Sequence, residues 1–179
     1  MRLLGLAVAV GLACTVPASA GKLVLRIHAA HKGESPQPVT IRTSLPARIS
    51  TNDIVNLNGL NLGYDVKSDT YYVYDTVEVA AGEIKQYNVE MNDIWVVDEE
   101  ELASYKARSG ALAAMLAGTK SSTDGDEEHA DVLAREEEIL LRQSENGIAA
   151  VENPIIHIQA YETNLKAFQE IKQSVGRLE

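Results

Sequence analysis

The hydropathy pattern changes its period once, at Val97, and that change most limits what the chain can become. Before Val97 apolar residues alternate with polar ones, as a strand with one buried face requires. After it they recur every three or four residues, as an amphipathic helix requires. Strands are therefore expected first and helices second, segregated along the chain in an α+β arrangement.

Within the alternating part, Leu23, Leu25 and Ile27 share one face of a first strand, and Val39, Ile41, Thr43 and Leu45 share one face of a second. Pro36 and Pro38 punctuate the link. A third strand is expected over Ile54 to Leu57, followed by Asn58-Gly59, whose residues both tolerate positive φ and so favour a tight turn. Leu60 to Val66 returns from it. Tyr71, Val73, Val77 and Val79 then line one face, a turn follows at Ala80-Ala81-Gly82-Glu83, and Tyr87, Val89 and Met91 line the next strand, the clearest expected pair. Six or so short strands at this spacing predict an N-terminal antiparallel immunoglobulin-like β-sandwich over residues 21–97.

Asp98-Glu99-Glu100-Glu101 places a cap and acids on a first helical turn, where free N–H groups and the helix dipole favour negative charge. Leu102, Tyr105, Leu112 and Leu116 follow at seam spacing, interrupted by Ser109. Gly118 to Gly125 has loop composition, and Asp126-Glu127-Glu128 reopens a helix. Asn153-Pro154 reads as a cap and first-turn proline for a last helix with the seam Ile158, Tyr161, Leu165, Phe168 and Val175. Helices at about 98–118, 126–146 and 153–177 predict a C-terminal antiparallel helical bundle, or a coiled-coil hairpin, over 98–179. A single long helix from Asp126 to the end is the alternative, opposed by Asn146-Gly147 and Pro154.

Residues 1–20 carry an address. Arg2 precedes the apolar run Leu3 to Val16, Pro17 breaks it, and Ala18-Ser19-Ala20 is the small-x-small pattern of a signal-peptidase site. Cleavage after Ala20 is expected, which would leave no transmembrane segment and an exported protein, periplasmic, envelope-associated or secreted. Lipidation at Cys14 is the weaker reading, because Leu12 stands one place too near for the lipoprotein pattern. Cys14 is the single cysteine, so the mature chain would have no disulfide and no thiolate.

Charge excludes one class of partner. The chain has 16 Lys plus Arg against 26 Asp plus Glu, a formal charge of -10, and a polyanion needs clustered cations. No nucleic acid is expected. Residues 22–97 hold 7 basic and 9 acidic side chains, and 98–179 hold 8 and 17. The acidity belongs to the helices.

Catalytic signals are missing: no Gly-x-Ser-x-Gly elbow, no Ser-x-x-Lys, no phosphate-binding Gly loop and no dinucleotide fingerprint. No catalytic residue or cofactor is expected. Asp124, Asp126 and Glu128 are weak metal candidates, since Ca2+ wants clustered carboxylates. They fail the EF-hand pattern, with His129 where Gly belongs and Arg135 where the bidentate Glu belongs; a solvated helix start accounts for them. The four histidines lack ligand spacing. Tyr72 and Tyr74, on the face opposite Tyr71 and Val73, are the better binding candidates, because Tyr offers a large contact with a polar tip. Both lie covered if the helices pack over that face. Trp95 is expected at the junction of the two halves.

The stretches Tyr71-Tyr72-Val73-Tyr74, Ala81-Gly82-Glu83 and Val89-Glu90-Met91-Asn92-Asp93-Ile94-Trp95 resemble the final hairpin of immunoglobulin-like modules in large exported bacterial envelope proteins, with helices directly after the Trp. His157 to Asn164 is similar to a stretch in the last helix of such modules, while Ala81 replaces their more usual Pro. The resemblance implies a structural role and no catalytic residue. The reading is an exported, non-enzymatic structural or interaction protein acting by protein–protein contact or self-association through its helix seams. The alternative is a soluble module that holds a glycan, peptide or Ca2+-bridged ligand at Tyr72 and Tyr74.

Overall fold

A computed structural model describes residues 21–31 and 33–179. Residues 1–20, with Cys14 and the expected cleavage site, lie outside the described residues. Six strands come first: β1 (Lys22–Ala30), β2 (Gln37–Ser44), β3 (Ile54–Asn56), β4 (Asn61–Asp65), β5 (Thr70–Val79) and β6 (Ile84–Asn92). Three helices follow: α1 (Glu99–Leu116), α2 (Ser122–Asn146) and α3 (Pro154–Leu178). The strands form two three-stranded antiparallel sheets, in the orders β1-β6-β3 and β2-β5-β4.

The alternating faces fall as expected. Leu23 and Ile27 of β1, Val89 and Met91 of β6, Ile41 of β2, and Val73 and Val79 of β5 are buried in one apolar cluster to which both sheets contribute. Pairing differs from expectation. The chain reverses at Ala80–Glu83, where Gly82 takes φ 72° and the Glu83 N–H donates to Ala80 O at 3.0 Å. Yet β5 and β6 are not hydrogen-bonded to each other: β5 pairs with β2 and β4, and β6 with β1 and β3. Asn58-Gly59 behaves likewise, with φ of 53° and 84°, but it carries the chain from one sheet to the other. A turn dipeptide specifies reversal; it does not say whether the two arms bond edge to edge or face each other across a core. Among the described residues, β4–β5 are the consecutive strands that pair directly, through a turn in which the Lys67 N–H donates to Asp65 Oδ1 at 2.9 Å and Asp69 takes φ 53°.

Asp98 caps α1 by accepting from the Glu101 N–H at 2.8 Å, and Asn153 caps α3 by accepting from the Ile155 N–H at 3.0 Å. Between Gly147 and Asn153 the chain leaves the helical conformation, which rules out the continuous last helix. The expected loop through Gly125 is shorter: α2 starts at Ser122 rather than Asp126. Gly125 is buried in its first turns, where a Cβ would stand 3.1 Å from Leu116 Cδ1 and 3.6 Å from Ala113 Cα. Its missing side chain lets α2 begin against α1. The helices enclose a second cluster of Val97, Leu102, Val132, Ile139, Phe168, Ile171 and Val175, and Tyr161 packs against both clusters.

Candidate functional site

On the sheet β2-β5-β4, Tyr72, Tyr74, Thr76 and Glu78 leave β5 on the face away from the apolar cluster, flanked by Arg42 of β2 and Gly63 of β4. The helices meet the strands elsewhere, at β1 through α3. Tyr74 is 43% exposed. Tyr72 is half-buried for a local reason: a Cβ at Gly63 would collide with its ring, so the ring lies over that glycine. The Arg42 guanidinium carbon sits 3.7 Å from the Tyr72 ring centroid, a cation–π stack, and the Tyr72 and Tyr74 rings are 5.7 Å apart. Arg42 also approaches Asp65 at 3.8 Å. The result is a partly exposed patch of two phenols and a guanidinium. The outer side of β1-β6 is polar by contrast, with Lys22 and Glu90 3.2 Å apart and His28 and Gln86 3.3 Å apart. At the start of β5, Tyr64 donates its hydroxyl to Asp69, and that bond raises the phenol's pKa.

The seam residues meet one another inside the chain. Leu102, Phe168 and Val175 are buried in the helical cluster, with Tyr105, Leu112 and Leu165 partly buried against it. Tyr105 packs edge-on to Phe168 at 5.5 Å. Leu116 is half-buried against Gly125, and Ile158 turns to the strand cluster. Ser109, the break in the seam, is fully buried, its hydroxyl donating to Lys106 O at 2.8 Å and sharing a 2.8 Å hydrogen bond with His129 Nδ1.

The weak metal candidates lie along the first turns of α2. Asp124 and Asp126 are exposed, and Glu128 is held by the Arg177 fork at 2.6 and 2.7 Å. That guanidinium keeps the Glu128 carboxyl below its ordinary pKa. No group of three or more His, Cys, Asp or Glu side chains set to hold a metal occurs among the described residues. No described helix is long and apolar enough to cross a membrane.

Sequence reasoning expected Trp95 at the junction of the halves but missed the polar contacts made there. His157 of α3 lies 2.8 Å from Asp93 Oδ1 through Nε2 and 2.9 Å from Asn146 O through Nδ1. Both ring nitrogens are thus engaged, one toward the strand half and one toward the end of α2. The two side chains are 6% and 5% exposed. Asp93 Oδ1 also accepts from the Trp95 N–H at 3.1 Å, while the Val97 N–H donates to Gln143 Oε1 at 2.6 Å. Nothing in the spacing of Asp93, Gln143 and His157 announces the two contacts that tie the halves, because His157–Asp93 and Val97–Gln143 span 64 and 46 residues of chain.

No protein-family model, curated protein or solved structure matches the chain.

Proposed function

We propose that the protein is exported, loses residues 1–20 after Ala20, and serves in the bacterial periplasm or cell envelope as a non-enzymatic interaction protein. It makes its protein contact at the outer face of β2-β5-β4. The observation that carries this reading is the Tyr72, Tyr74 and Arg42 patch on a sheet face that the helices do not occupy. The helix seams are the poorer contact surface, because their side chains pack together in the helical cluster. A glycan or peptide ligand at the same tyrosines is the second reading, favoured by the guanidinium stacked on Tyr72.

In this proposal the strands form an immunoglobulin-like sandwich and the helices an antiparallel bundle. The order β2-β5-β4 corresponds to B-E-D of the immunoglobulin arrangement, and β1-β6-β3 to G-F-C with the first strand in the place of the last. Affinity capture from the protein's own envelope fraction, with wild type and Tyr74→Ser side by side, tests the function. A protein retained by wild type and lost by the variant is expected; identical captures by both would overturn it. N-terminal sequencing of the processed chain should begin at Gly21, and an intact Met1 would defeat export by this leader.

A further inference from the structure

β1 stands at the end of its sheet in the order β1-β6-β3, so one side of the strand has no neighbour. Which backbone groups face that side follows from the pairing. The Asp93 N–H donates to Gly21 O at 2.8 Å, and the register continues with Leu23 opposite Met91 and Leu25 opposite Val89. Hydrogen-bonded pairs recur at every second residue of an antiparallel ladder, so Leu23, Leu25 and Ile27 bond to β6. Lys22, Val24, Arg26 and His28 therefore turn their N–H and C=O groups to the open side. Among the described residues, no backbone hydrogen bond from another element meets them. The other sheet ends are poorer templates: β3 has three residues, β4 has five and β2 contains Pro38, whereas β1 runs for nine without proline.

The connection between α2 and α3 stands off this edge and leaves a groove of about 450 Å³, with Val24, Leu25 and Arg26 on the strand side and Ile148, Val151 and Ile155 on the other. Consecutive residues of a strand point to opposite faces, so a groove that touches all three of β1 runs along its edge. At strand and sheet spacings an extended residue fills about 160 Å³, and the groove takes about three. Its chemistry selects the occupant. Ile155 is 55% exposed, and Ile148 packs against the strand cluster beside Gly21, which gives inward side chains an apolar seat. On the outer face Lys22 is held by Glu90 at 3.2 Å, whereas Arg26 is exposed and forms no ion pair among the described residues. An acid opposite Arg26 completes a cross-strand pair, and Glu152 in the far wall opposes a second acid there. A second copy of β1 fits badly. Self-pairing sets Lys22 against Arg26 about a two-fold axis at Val24, or Arg26 against itself about an axis at Arg26.

We propose that the β1 edge and the α2–α3 connection hold an extended peptide segment as an added antiparallel strand, apolar–acid–apolar in sequence, with the acid opposite Arg26 and its neighbours turned to the apolar wall. Main-chain hydrogen bonds to Val24 and Arg26 supply the affinity, and the alternating side chains supply the choice of partner. This groove is separate from the tyrosine patch, which lies on the other sheet, and it does not depend on the export reading.

The isotope-labelled protein, titrated with acetyl-Val-Thr-Val-Glu-Val-Thr-amide up to about 1 mM, tests it. The amide resonances of Val24 and Arg26 should move saturably, and their hydrogen exchange should slow at least about tenfold. The same peptide with Lys in place of Glu should bind at least about tenfold more weakly, and Arg26→Glu should invert that preference. Methylating the Glu nitrogen, which faces β1 when Glu stands opposite Arg26, should abolish binding. Unmoved Val24 and Arg26 resonances would overturn the proposal, and so would equal binding of the Glu and Lys peptides or of the methylated one. Shifts confined to Tyr72 and Tyr74 would put the peptide on the other sheet, and β1 line broadening that grows with protein concentration alone would make a second copy the occupant; either defeats the assignment. The peptide comparisons need only the wild-type protein should Arg26→Glu fail to fold.

Discussion

Tyr72 and Tyr74 leave β5 on the same side, yet truncating them has different consequences. Tyr72 covers Gly63 and carries the Arg42 guanidinium, so Tyr72→Ser removes packing across all three strands and should cost about 1 kcal/mol in urea denaturation. Tyr74→Ser removes a side chain that is 43% exposed and should stay within about 0.5 kcal/mol of wild type. Tyr74→Ser is therefore the cleaner probe of binding. At the junction the stakes are larger. His157→Phe keeps a ring of similar size but leaves the Asp93 carboxylate and the Asn146 carbonyl without their shared donor, and should cost about 3 kcal/mol. A loss below about 1 kcal/mol would mean that water replaces the imidazole at little cost.

Helix packing follows rules that a hydropathy pattern reads incompletely. By spacing alone Ser109 is a fault in the seam, and Ser109→Leu looks like a repair. The fully buried hydroxyl against His129 and the close approach at Gly110, where a Cβ would stand 3.3 Å from the His129 ring, point to the opposite result. Ser109→Leu overfills the crossing of α1 and α2 and should destabilise by about 1–3 kcal/mol. Gly125 carries the same lesson, since a glycine among Ser, Thr and Asp reads as loop until α1 is known to lie against it. The Glu128–Arg177 fork sets a pH dependence with a definite sign. Because the folded-state pKa of Glu128 is lowered, its stabilisation is present above the unfolded value of about 4.3 and is lost as pH falls through the lower folded value. In Arg177→Gln that acid-sensitive portion should shrink, read as a smaller drop in Tm between neutral and acid pH.

Across the whole molecule, the faces of the elements were legible and their neighbours were not. Alternation identified the inward residues of β1, β2, β5 and β6, because the sheet period depends only on local backbone geometry. Which strands pair is a long-range matter, and both well-marked turns after β3 and β5 proved to pass between sheets. The tyrosine patch was visible as outward positions and Trp95 as a junction residue, whereas the contacts of Asp93, Gln143 and His157 around it needed three dimensions to assemble. That junction joins the clusters through Tyr161, with Arg48 and Glu162 3.4 Å apart at its edge. Strands and helices should therefore melt together: Trp95 fluorescence and helical circular dichroism should share one midpoint, and two separated transitions would show that the halves unfold independently. The pairing of β1 with β6 has a consequence in time as well. Lys22 finds its partner at Asn92, so a chain that emerges from its N-terminus carries an unpaired leading strand until all five other strands have appeared. Closing so long a loop is slow and comes late, so on the export route proposed above the leading end would stay unpaired while the chain is threaded through a pore.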